Sequence, residues 1–235
     1  MTEQLKKHQM NKFNISIVAI GTLFMTACGS GTNTNEVTDE KTAEQAEPVE
    51  KSMVEVCEFN YDASATKISW KSFKTSAKVA VGGTFDVYTI ENTVTSNSES
   101  AVFENATFSI VTASVNSGNT ERDPKLIQFF FNTMVSSDTI TGGVVKISEA
   151  VDGKGAAIIH LTLNGQTHEE NATYTLEGTI LTLKATINMS KWEASNSITA
   201  LNTECKDLHT GDDGISKLWD EVDIEITTTL AKSCE

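Results

Sequence analysis

The chain has 235 residues, 39% of them hydrophobic and 21% charged, with 18 Lys+Arg against 32 Asp+Glu. That apolar content excludes wholesale disorder and can fill one core, and the length allows one generous domain with appendages. A net charge of −14 excludes a nucleic-acid binder, whose phosphates demand Lys and Arg, and four Cys exclude a disulfide-dense miniprotein. What remains is an acidic, β-leaning globular domain.

Residues 1–27 read as an address rather than as part of the fold. Lys6, Lys7 and Lys12 form a positive n-region, and the apolar run Ile15 to Met25 suits a signal h-region while being too short to span a bilayer. Met10 would begin such a signal by itself. Thr26-Ala27-Cys28 resembles the lipobox of bacterial lipoproteins, with Met25 in place of the usual Leu. That resemblance implies lipidation of Cys28 and a protein exported to the bacterial cell envelope, anchored to a membrane by acyl chains. Residues 28–55 are rich in Gly, Thr, Asn and Glu and nearly free of large apolar side chains, which predicts a flexible acidic tether. Cleavage after Ala27 removes three Lys and one Glu and leaves the rest near −16.

Residues 56–235 read as a single domain of strands with one apolar and one wetted face. Val222, Ile224, Ile226, Thr228 and Leu230 alternate with Asp223, Glu225, Thr227 and Thr229, and Leu181 to Met189 alternates in the same way. Further strands are predicted at about 67–74, 83–90, 104–115, 138–148, 156–164 and 171–178, with hairpin punctuation at Asn164-Gly165 and Glu177-Gly178. About eight such strands predict an all-β protein, an eight-stranded antiparallel barrel. Asp123-Pro124 opens a short helix carrying Leu126, Ile127, Phe130 and Phe131, with Asp123 a candidate cap. Residues 192–220, from Trp192 to just beyond Trp219, are predicted to form a long rim loop with short helices or a lid. Trp70, Phe85, Phe108, Ile110, Leu163, Leu183 and Ile224 are the expected wall residues of the barrel interior.

Several stretches, in this order and spacing, resemble the YceI-like family of lipocalin-like, polyisoprenoid-binding proteins. They are Tyr61-Asp62 with Ser64, Ile68-Ser69-Trp70, Val81-Gly82-Gly83-Thr84-Phe85, Ala113-Ser114-Val115, Gly118-Asn119, Glu121-Arg122-Asp123 with Leu126, Phe129-Phe130, Leu161 to Gly165, and Ile187-Asn188-Met189 with Trp192. The resemblance implies an elongated apolar cavity that takes an isoprenoid chain. The stretch Cys205-Lys206-Asp207-Leu208-His209-Thr210-Gly211 departs from the family by lengthening its final loop. Arg122 is the candidate for a ligand headgroup, because a guanidinium suits phosphate or carbonyl oxygens; its bland alternative is a strut onto a neighbouring carboxylate.

Other chemistry lacks a signature. No nucleophile elbow or phosphate loop occurs, so no catalytic residue is assigned. Cys205 and His209 lack the spacing of a metal site, so neither metal nor cofactor is expected. With Cys28 acylated, an even number of up-and-down strands puts Cys57 and Cys234 at one barrel end, which favours a Cys57–Cys234 disulfide; Cys57–Cys205 is the rival. The reading is a non-enzymatic envelope lipoprotein that binds or carries an isoprenoid or similar apolar lipid. The alternative is a structural or interaction module whose barrel is filled by its own side chains.

Overall fold

A computed structural model describes residues 55–235; the expected signal segment, Cys28 and nearly all of the 28–55 tether lie outside the described residues. In chain order the strands are β1 (Cys57–Asn60), β2 (Thr66–Lys74), β3 (Val79–Phe85), β4 (Tyr88–Glu91), β5 (Thr107–Val111) and β6 (Val115–Asn116). Helix α1 (Arg122–Phe129) follows, then β7 (Thr139–Ile147), β8 (Lys154–Leu163), β9 (Gln166–Glu177) and β10 (Ile180–Asn188). Helices α2 (Ser195–Glu204) and α3 (Lys206–His209) precede β11 (Leu218–Thr229) and β12 (Ala231–Cys234).

Ten of these strands form one antiparallel sheet in the order β4-β5-β7-β8-β9-β10-β11-β2-β3-β6. The sequence pattern predicts eight; the difference arises because two strands are broken. β3 runs into β4 through Asp86-Val87, and β5 runs into β6 through a 3-10 turn at Thr112–Ser114. Across the break, Asp86 N donates to Ser114 O at 3.1 Å and Val111 N donates to Val87 O at 3.0 Å. The β4–β5 and β3–β6 ladders are therefore two halves of one pairing, and the sheet order closes on itself as a barrel of eight long strands. Closure removes the free edges that an open sheet would expose.

Alternation dictates what faces inward. Ala157, Ile159, Leu161 and Leu163 on β8, and Leu181, Leu183, Ala185 and Ile187 on β10, are buried, whereas Lys184 and Thr186 are exposed. The Asn164-Gly165 turn has φ of 50° and 71° at its two residues, the left-handed pair that a two-residue hairpin matching strand twist requires. Trp192 is fully buried beside this turn. Its indole Nε1 donates to Leu161 O at 3.1 Å, and Asn164 Nδ2 donates to Trp192 O at 2.7 Å.

The two barrel ends are closed differently. At one, Val102, Phe103 and Ala106 pack under Phe59 of the β1–β12 ribbon. This ribbon is absent from the predicted strands because each arm is only four residues long. Cys57 and Cys234 stand opposite each other in its register and are joined by a disulfide that closes a separation of 177 residues. At the other end, α1, α2 and α3 cover the strand termini, α1 packing on α2 with Lys125 and Glu204 paired at 3.0 Å. Asp123 is not the cap of α1. It lies within the first turn and accepts from Ser117 N at 2.9 Å, while Asn119 Oδ1 takes Glu121 N at 2.9 Å and Arg122 N at 3.0 Å.

A cross-link over so long a loop restricts the unfolded chain strongly. Replacing both Cys57 and Cys234 by Ser is expected to cost about 2–5 kcal/mol, read as a lower denaturation midpoint with the β signature retained.

Candidate ligand site

The interior is layered along the strands. On β2, Thr66, Ile68, Trp70, Ser72 and Lys74 share one face; on β8 the series is Ile159, Leu161 and Leu163; on β10 it is Leu183, Ala185 and Ile187. An inner chamber of about 60 Å³ lies at the ribbon end and is lined by Thr66, Ile90, Phe108, Ile159, Leu183 and Ile226, among others. An outer chamber of about 100 Å³ lies towards the helices, against Trp70, Phe85, Leu163, Ile187, Val222 and Ile224, among others. Ser72 is the one polar residue in the lining of that outer chamber.

On four of the strands one inward residue between the chambers lines neither, namely Ile68, Ile110, Leu161 and Ala185, all buried, whereas on β11 Ile224 borders the outer chamber and Ile226 the inner. These four mark the barrel's waist, where the two linings part on those strands. The elongated cavity implied by the family resemblance is thus two chambers in this conformation. Bulky β-branched and Leu side chains project inward at the waist, and Phe85 and Phe131 pack edge to face beside them with centroids 6.1 Å apart. Among the expected wall residues, Trp70, Phe85, Leu163 and Ile224 border the outer chamber, and Phe108 and Leu183 the inner one. Ile110 borders neither and belongs to the waist.

A third cavity, about 270 Å³ and polar on one side, sits at the helical end. It shares Trp70, Ser72, Leu126, Leu201 and Leu218 with the outer chamber, so the apolar space adjoins a polar mouth. Arg122, Lys125 and Leu126 face it from α1, because positions three and four apart share a helix face. Lys74 reaches it from the end of β2, and Cys205, Leu208 and His209 come from α3 and the residue before it. Lys74 Nζ donates to Leu208 O at 2.9 Å, which ties α3 to the barrel rim. Arg122, half-buried, makes no ion pair among the described residues, so it is not a strut onto a carboxylate.

Sequence reasoning found Arg122 but missed Lys74, Lys125 and His209. Their signals were present: Lys74 keeps the inward parity of Ile68, Trp70 and Ser72, and Lys125 lies one turn from Arg122. His209 is buried, and its Nδ1 meets Asn202 Oδ1 at 2.9 Å. Burial, reinforced by repulsion from Lys74, holds His209 near pKa 4, well below the ordinary imidazole value of 6.5. Burial also pushes the Cys205 thiol up, which keeps it protonated and unreactive. The one Cys/His/carboxylate trio within ligating distance among the described residues is Glu55, Cys57 and Cys234, whose two sulfurs are bonded to each other.

An antiparallel barrel with apolar chambers inside and a charged mouth defines a lipocalin-like container. The model of the YceI-like domain matches residues 59–230, and the chain belongs to that family. Two solved structures share the fold. BcnA from Burkholderia cenocepacia is 19% identical, with TM-score 0.50, over 74% of this chain and 99% of that one. A polyisoprenoid binding domain from Saccharophagus degradans, implicated in plant cell wall breakdown, is 14% identical, with TM-score 0.51, over 76% of this chain and 99% of that one. No curated protein matches the chain.

The neutral, buried His209 makes stability depend on pH. Between pH 6.5 and about 4 the unfolded chain takes up a proton that the folded chain refuses, so stability falls as pH falls through that window. His209→Gln is expected to reduce the loss between about pH 7 and about pH 4.5 by up to about 3 kcal/mol, measured in paired urea titrations.

Proposed function

We propose that this protein is a non-catalytic lipid container that holds the apolar chain of an isoprenoid or similar single-chain amphiphile in the barrel, with its head at the helical mouth. The observation that carries the reading is the outer chamber, apolar on nearly every side and adjoining a charged cavity. Burial of chain carbons there contributes about 0.8 kcal/mol per methylene, without any directional bond. Isoprenoid binding by the domain from Saccharophagus degradans supports the same use of the fold. A chain that extends past the outer chamber must turn aside the waist residues Ile68, Ile110 and Leu161. That filled waist is also what favours the second reading, an interaction module with a self-filled barrel.

The protein is proposed to work at the bacterial cell envelope, held to a membrane through acyl chains on Cys28, because the lipobox-like Thr26-Ala27-Cys28 follows a positive n-region and a short apolar run. An anchored container could take up or deliver lipid close to a bilayer without a membrane-spanning helix; among the described residues no helix is long and apolar enough to cross one.

Protein purified without detergent is expected to release a single-chain lipid on organic extraction and to show the same added mass in native mass spectrometry. Trp70→Arg, which places a charge at the junction of chamber and mouth, should abolish that mass while circular dichroism stays β-rich. A ligand-free protein that also refuses prenyl alcohol, prenyl phosphate and fatty acid would establish the self-filled barrel instead.

Anchoring has its own test. The full-length chain expressed in a bacterium should partition into the detergent phase, and Cys28→Ala should move it to the aqueous phase. Equal partitioning of the two would remove the anchor.

A further inference from the structure

The charge of the mouth is opposite to that of the protein. The chain as a whole carries −14, yet the charged side chains around the mouth cavity are Lys74, Arg122 and Lys125 against Glu121 alone. Glu204 pairs with Lys125 at 3.0 Å, and Lys74 is spent on a neutral carbonyl, Leu208 O, at 2.9 Å. Arg122 is left half-buried with no ion-pair partner among the described residues. His209, the fourth basic group, is neutral and turned by Nδ1 onto Asn202, so it does not compete for an anion. A guanidinium partly removed from water without an acceptor is costly, and the cost is recovered when an oxyanion meets its fork of N–H donors.

We infer that the mouth cavity is an oxyanion site, and that the ligand is a single-chain amphiphile with a phosphate or carboxylate head held by Arg122, with Lys74 and Lys125 behind it. This rests on the lipid-container reading and selects among its ligands: neutral alcohols and quinones offer the guanidinium only an uncharged acceptor, whereas anionic heads offer a charge-assisted, bidentate one. The site lies where the apolar chamber ends, since Trp70, Ser72, Leu126, Leu201 and Leu218 border both spaces. Head and chain are therefore recognised in one continuous volume. Cys205, Leu208 and His209, from α3 and the residue before it, complete the wall of the cavity. Selection by head thus resides in Arg122, Lys74 and Lys125, on α1 and at the end of β2.

The test uses the full-length protein, delipidated, at low ionic strength, with three probes of similar short chain: farnesol, farnesyl phosphate and palmitoleate. Titration calorimetry is expected to show at least one anionic probe binding about tenfold more tightly than farnesol. The anion with the larger advantage identifies the head as phosphate or carboxylate. Arg122→Gln should erase that advantage, and Arg122→Lys should restore part of it. Equal affinity for all three probes, or a preference that survives Arg122→Gln, would overturn the oxyanion site while leaving the container reading intact. Failure of the wild-type protein to bind any of the three would overturn the container reading itself.

Discussion

The barrel depends on one pairing, the seam where two broken strands meet. Thr84 and Phe85 pair with Asn116 and Val115 on one side of the break, and Tyr88 to Glu91 pair with Thr107 to Ile110 on the other. Backbone bonds from Asp86 and Val111 carry the ladder across the gap, and Ser114 Oγ accepts from Val87 N at 3.0 Å. Without this seam the sheet would present two edges and the inward face would be wetted. With it, every second residue of eight long strands is withdrawn from water, and the chambers, the waist and the mouth follow from where side chains of different size fall.

The container is asymmetric for reasons of packing at its two ends. The ribbon end is sealed by Val102 and Phe103 beneath a disulfide-linked strand pair. The helical end is roofed by elements that must also satisfy their own polar groups. Helix α1 begins with Asn119 receiving two backbone N–H groups, which leaves the Arg122 and Lys125 side chains free to face the cavity. A positive mouth above an apolar chamber is what an amphiphile with a negative head complements.

Much of the architecture was legible in the chain. The period-two pattern located eight long strands to within a few residues at most boundaries, and Asn164-Gly165 marked a turn that has the left-handed angles expected of it. Breaks within strands were not legible, since Asp86-Val87 and Thr112–Ser114 carry no proline or glycine to announce them. The β1–β12 ribbon was missed because four-residue strands show too little periodicity. Asp123 read as a cap by type and position, but Asn119 occupies that role by reach, a matter of a few ångströms that spacing does not encode.

By itself the sequence determined which side chains point inward, because strand geometry turns alternate residues to opposite faces whatever the neighbours are. It therefore placed Trp70, Phe85, Phe108, Leu163, Leu183 and Ile224 on the inner wall. Tertiary structure alone decided whether an inward residue borders a space or fills it, since that depends on the summed volume of side chains meeting at one level from strands far apart in the chain. Ile110 is the clearest instance: it shares its face with Phe108 yet packs with Ile68, Val115 and Phe131 and borders neither chamber. The mouth is the second instance. Lys74, Arg122, Lys125 and His209 are separated by up to 135 residues and become one site only because barrel closure brings the end of β2 beneath α1 and the final loop.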